Sequence, residues 1–206
     1  SQTLTMAGII SGSGGNFTKS GSGTLVLTAS NAFTTDIDIA AGTLSVGADS
    51  NLGAGDIIIS GGTLAATTGF STAKATSLTG SGSINVSPSQ TLTMSGVMSG
   101  AGGFTKVGTG TLSLTGTNSY SGGTTVTTGK LIGTTDSLQG NIANNATMEF
   151  NQSTSGSYGG TISGTGALIK DGTGTVTLTG TNTYSGDTTF KSGTLSVLGD
   201  TSFGSG

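Results

Sequence analysis

Asp36, Asp38 and Asp56 are the residues of this sequence best placed to do chemistry. Asp36 and Asp38 share one side of the extended stretch TTDIDIA, and Asp56 follows Asp36 by twenty residues. If twenty residues make one turn of a coil, Asp56 stacks above Asp36 and the three carboxylates form a candidate cation or sugar site. The plainer reading is a solvated face opposite inward Ile37 and Ile39, because strand side chains alternate. Acid–base catalysis needs titratable groups whose surroundings drive their pKa values apart. The chain has no His, no Cys and no Arg, so a His-activated nucleophile is excluded and a lyase-like site lacks its basic partner. No enzyme and no cofactor are expected. Calcium-binding nonapeptides would need repeated G-G-x-G-x-D, and the GSGG and GAGG stretches have no Asp at that spacing.

The remaining candidates recur. Lys19, Lys106 and Lys170 occupy one motif position, Asn31, Asn118 and Asn182 another, and Phe33, Tyr120 and Tyr184 a third. Each is expected to be structural. The lysine stem covers a corner while its head stays wet, the Asn supports a turn through αL geometry or its own side chain, and the ring covers a corner rather than stacking on sugar. A column of outward threonines is also expected, at Thr24, Thr43, Thr63, Thr111, Thr175 and Thr194. Its neighbour is mixed: Val26, Ser45, Ala65, Ser113, Thr177 and Ser196. An ice-binding face would need two regular columns, so that reading is weak.

The elements that hold these residues follow from composition and repetition. Gly contributes 40 of 206 residues and charged side chains only 7%, against about 25% charged in ordinary domains. Hydrophobic residues are 32%, and Leu, Ile and Val alternate with Thr and Ser, which builds sheet rather than disorder. Six scattered lysines cannot neutralise a row of phosphates or make a basic membrane patch, so nucleic acid is excluded as a partner. No run is long enough for a membrane helix.

Three long repeats cover residues 12–44, 100–131 and 164–195, and the last two align without a gap at an offset of 64. Inside them runs a finer period of 19 or 20 residues between tetrads such as TLVL, TLSV, TLTM and TLSL. The spacing predicts a parallel β-helix of about ten turns, each of roughly 20 residues, with Leu25 on Leu44 on Leu64 in one buried column. Parallel crossovers favour a right-handed coil. Gly clusters supply the corners. The register loosens between residues 64 and 92 and between 131 and 176, where Glu149, Phe150 and Tyr158 interrupt the Thr/Ser pattern. The chain reads as one β-helix segment over 1–206, a piece of a longer array.

The pattern K-x-G-x-G-T-L-x-L-x-x-x-N-x-Y-x-G-x-T-x-V-x-x-G-x-L, complete from Lys106 to Leu131, resembles the autotransporter-associated β-strand repeat of bacterial passenger domains. The third copy matches with Val176 for Leu and Phe190 for Val. The first departs more, with Phe33 for Tyr and Thr35 for Gly. The resemblance implies a structural stalk, spacer or fibre at the outer surface of a Gram-negative bacterium, exported through a membrane β-barrel of the same polypeptide. The alternatives are an adhesin-type module for cell-surface glycan or protein, with Glu149–Tyr158 its one non-repeating cluster, and a filament subunit associating end to end or side by side. An ice-binding or polysaccharide-degrading solenoid ranks below these.

Overall fold

The computed structural model of the chain describes residues 2–199, 203 and 204; Asp200 lies outside them. The described residues form 26 short strands, paired in parallel, and one 3-10 turn at Asp49–Leu52. Short strands follow from the sequence: alternating runs of two to five residues are closed by corners, most of which contain glycine.

The strands fall on three faces that the chain visits in order. The first face is a nine-stranded sheet from Thr3–Met6 to Ile162–Ser163. The second is seven-stranded, from Phe70–Thr72 to Thr188–Phe190. In the first turns its place is taken by Ser11–Gly12 paired with Ala32–Phe33 and by the Asp49–Leu52 turn. The third face carries five strands, Phe17–Lys19 to Met98–Ser99, and later three more, Gly156–Tyr158 to Thr194–Val197. Between these two sheets the coil continues through single backbone bonds, Ser119 N to Met98 O at 2.8 Å and Asn118 N to Asp136 O at 3.0 Å. The result is a β-solenoid of about ten turns of roughly 20 residues.

Leu25, Leu44 and Leu64 stack as the spacing predicts, and the last two are fully buried. The tetrads do not all share that column. Leu64 pairs with Ile84, whereas Leu92 pairs with Phe70 and Leu112 on the second face. Val176 pairs with Gly156 and Leu195 on the third. The 28-residue gap between Leu64 and Leu92 is therefore not a loop. It holds one complete turn, and the Thr-Leu motif resumes one face later. Similarly, Leu131 continues through Met148 to Leu168 without a break. An inward position needs only an apolar side chain, so Ile84 in GSINV fills it without resembling a tetrad.

The same rotation dissolves the threonine column expected from sequence. Thr24, Thr43 and Thr63 lie on the first face, Thr111 on the second, and Thr175 and Thr194 on the third. The register assembles a different column on the first face alone, running from Thr3 through Thr24, Thr43, Thr63 and Ser83 to Thr105 and Thr125. Its neighbour, Val26, Ser45, Ala65, Asn85 and Val107, is mixed, so a double threonine array is not formed.

One corner glycine recurs in all three long repeats. Gly42, Gly129 and Gly193 have φ of 64°, 72° and 78°, a region that L side chains rarely adopt. Each sits over the corner of the turn below: a Cβ on Gly129 would run into the carbonyl oxygens of Gly108 and Gly110. Gly129→Ala is expected to lower stability by about 2 kcal/mol or more. Gly8→Ala, with nothing within 4 Å of its Cβ position, is expected to be neutral. Urea unfolding of the two variants distinguishes them.

Candidate functional site

Lys19, Lys106 and Lys170 stand two residues after Phe17, Phe104 and Leu168. Period two puts each lysine on the same side as that apolar residue, which is inside. Lys106 and Lys170 are 0% exposed and Lys19 is 6%. The expectation of a wet ammonium is thus corrected: the head is enclosed in a corner. Lys106 Nζ donates to the carbonyls of Val107 (2.9 Å), Gly108 (2.6 Å) and, one turn on, Thr128 (3.2 Å). Lys19 does the same with Ser20, Gly21 and Ala41, at 3.0, 2.8 and 2.8 Å. Lys170 does so with Asp171, Gly172 and Ser192, at 2.7, 2.7 and 3.1 Å. An ammonium has three N–H groups, and each corner supplies three acceptors. Burial pulls Lys106 down to about 8, so at neutral pH it keeps the proton its bonds require. Burial lowers Lys170 as well, and the Asp171 carboxylate opposes that shift.

The asparagines bridge turns rather than shape one. Among the described residues only Ser89 has positive φ without being glycine, which corrects the αL reading of Asn31, Asn118 and Asn182. Asn118 Oδ1 accepts from Met98 N at 2.7 Å, and its Nδ2 donates to Ser137 O at 2.7 Å. One amide thus joins the turn below to the turn above. Asn31 connects Ile10 N (2.9 Å) and Asn51 O (2.7 Å). Asn182 accepts from Ile162 N at 2.8 Å.

The rings at the third motif position are core residues. Phe33 stacks on Phe17 with centroids 5.3 Å apart, and Tyr120 meets Phe104 edge-on at 5.6 Å. Tyr184 is fully buried. Tyr120 and Tyr184 pair their hydroxyls with Thr124 (3.0 Å) and Thr188 (2.8 Å). Burial raises the Tyr120 phenol. No face of these rings is open to a sugar.

These lysines, asparagines and rings recur together within three segments that comparison recognises. Residues 17–46, 104–132 and 168–197 each match a known family, the passenger-associated-transport repeat. Three segments of the chain are similar to that repeat. Neither a curated protein nor a solved structure gives a significant match. Each copy begins one face further round the rod. The repeat's lysine lies on the third face at Lys19, the first at Lys106 and the second at Lys170. The 64-residue offset between the last two copies is three turns plus one face.

Outside the repeat's shared positions, the carboxylates do not gather. Asp36 Oδ1 accepts from Asp56 N at 2.9 Å, and Asp56 Oδ1 accepts from Ala75 N at 3.0 Å. Each thereby holds the backbone one turn on. Asp38 accepts from the Ser60 hydroxyl at 2.6 Å. Among the described residues no three of His, Cys, Asp or Glu are placed to hold a metal. In the Glu149–Tyr158 cluster the charged and aromatic side chains are withdrawn from solvent. Phe150 and Tyr158 are core residues with centroids 5.3 Å apart, and Glu149 is only 3% exposed.

Glu149 belongs to an ion cluster that sequence reasoning missed. It faces outward between Ile132 and Ile169, with Lys130 at 2.7 Å and Lys191 at 3.5 Å. Lys191 reaches Asp171 at 3.8 Å. The Asp171 carboxyl is held below its ordinary value by the Gly172 N–H first and the Ser192 hydroxyl next. A signal existed, since Glu149 follows Lys130 by nearly one turn, but only the register reveals it.

Two substitutions test the internal roles. Lys106→Met keeps the stem and leaves three corner carbonyls without their donor; we expect a loss of about 2–4 kcal/mol in chemical unfolding. Asn118→Asp keeps the shape but turns a carboxylate oxygen toward Ser137 O. That raises the new group's folded pKa, so the folded variant binds more protons than the unfolded one. Its deficit against the unaltered chain should be about 2 kcal/mol at neutral pH and should shrink as the pH falls toward about 4, the pKa of the unfolded carboxyl, where it is smallest. Paired unfolding curves at the two pH values check this.

Proposed function

We propose that the chain is a structural segment of a bacterial autotransporter passenger, a stalk or spacer that aids export and holds its neighbours away from the outer surface of a Gram-negative cell. One observation carries this reading. The side chains that recur in the segments matching the passenger-associated-transport repeat, namely lysine, asparagine, aromatic and corner glycine, act between turns inside the rod. A motif selected for catalysis or adhesion would present its recurring groups outward. This one builds length, and rotating its start by a face distributes its locks around all three corners.

The reading includes a membrane β-barrel in the same polypeptide as the export partner. Among the described residues no helix is long and apolar enough to cross a membrane. A parallel coil suits passage as an unfolded thread, because each turn docks on the one beside it and contacts remain near neighbours along the rod.

Fused ahead of an autotransporter barrel in a Gram-negative host, the chain is expected to reach the cell surface and to be cut there by added protease. Lys106→Met with Lys170→Met should reduce display several-fold at equal barrel level. Retention of the intact chain in the periplasm contradicts the proposal, as does display indifferent to the loss of both lysines.

A further inference from the structure

The first face differs from the other two in charge. Its nine strands contain one ionisable cation, Lys106, and that side chain points inward. The outward groups of the third face include Asp38, and those of the second include Lys130, Glu149 and Lys191. Exposed charge is the usual guard against sheet surfaces meeting one another. Here the guard is a cluster on the second face, a single carboxylate on the third, and missing from the longest.

We infer that the first face is a lateral docking surface for a second copy of this chain, packed face to face. Four arguments favour that occupant. A neutral face meets no like charge in its own copy, although the chain carries a net charge of −3, because none of its nine strands contains a carboxylate. Its outward side chains are short or β-branched, such as Thr43, Thr63, Thr105 and Val107, so fixing them costs little rotamer entropy. The half-exposed threonines offer hydroxyls that both donate and accept, which lets identical surfaces satisfy each other. Finally, nine strands at about 4.8 Å span about 40 Å, and strands of two to five residues, most of them three or four, are about 10–15 Å wide. Burying that surface on both copies removes about 800–1,200 Å², at the lower edge of what a specific interface buries. The association is therefore weak and reversible, and it stands apart from the export reading above.

Sedimentation equilibrium of the purified chain tests this. A monomer–dimer equilibrium at about 10–100 μM, insensitive to salt, is expected. Thr63→Lys with Thr105→Lys should weaken it at least tenfold, while Ser113→Lys with Thr189→Lys on the second face should leave it unchanged. The chain has no cysteine, so Thr63→Cys provides a second readout that does not depend on the folding of the lysine variants. Oxidation should cross-link Thr63→Cys into dimers and leave Thr189→Cys monomeric. A chain that stays monomeric to about 1 mM overturns the proposal. So does equal weakening by both lysine pairs, equal cross-linking at both cysteines, or a monomer that uses the first face to hold an uncharged polysaccharide instead.

Discussion

A parallel coil breaks its ladder at every corner, and the rest of this structure depends on how the carbonyls freed there are satisfied. Water can do it at an open loop. At the corners after Lys19, Lys106 and Lys170 an enclosed ammonium does it, with two carbonyls from its own turn and one from the next. The bond to the next turn makes the corner cooperative, since it forms only when that turn is in place. A charge buried this deeply is tolerated because all three of its donors are used. The corner glycines are the complementary half of the device. A side chain at Gly129 would collide with the Gly108 carbonyl, which Lys106 holds in position, and with that of Gly110.

The asparagines extend the same principle from corners to faces. Asn118 joins three successive turns through one planar amide, replacing a ladder where the third face lacks strands. Around it, Tyr120 and Phe104 fill the interior. Local motif, inter-turn bonding and core packing thus come from the same thirty residues. The module works on any face because all three corners present it with a similar environment.

Much of this was legible in the sequence. The twenty-residue step and the alternation of Leu with Thr specify a parallel coil, and Leu25, Leu44 and Leu64 stack as their spacing implies. The rotation of the motif was hidden because Ile84 and Phe70 fill inward positions without sharing the Thr-Leu signature. The enclosure of the lysines was written in the alternation of FTK, FTKV and LIK, where lysine follows an apolar residue by two. Expectation about charge, which places lysine at the surface, outweighed that pattern. The carboxylates were harder. Asp36 and Asp56 are one turn apart as their numbers suggest, yet each accepts a backbone N–H instead of turning toward a shared ion. Sequence spacing brings side chains to the same corner but does not say what they hold.

The lysine locks are the centre of this account, and the ammonium groups can be observed directly. In a nitrogen-resolved NMR spectrum at neutral pH, the ammonium protons of Lys19, Lys106 and Lys170 should exchange slowly with water, and Lys106 should show through-bond coupling to the Thr128 carbonyl. Lys130 and Lys191, partly open at 30% and 46% side-chain exposure, should exchange too fast to be seen. Signals from all of these lysines that vanish alike would contradict the account, because the corners would then be held by water and not by the chain.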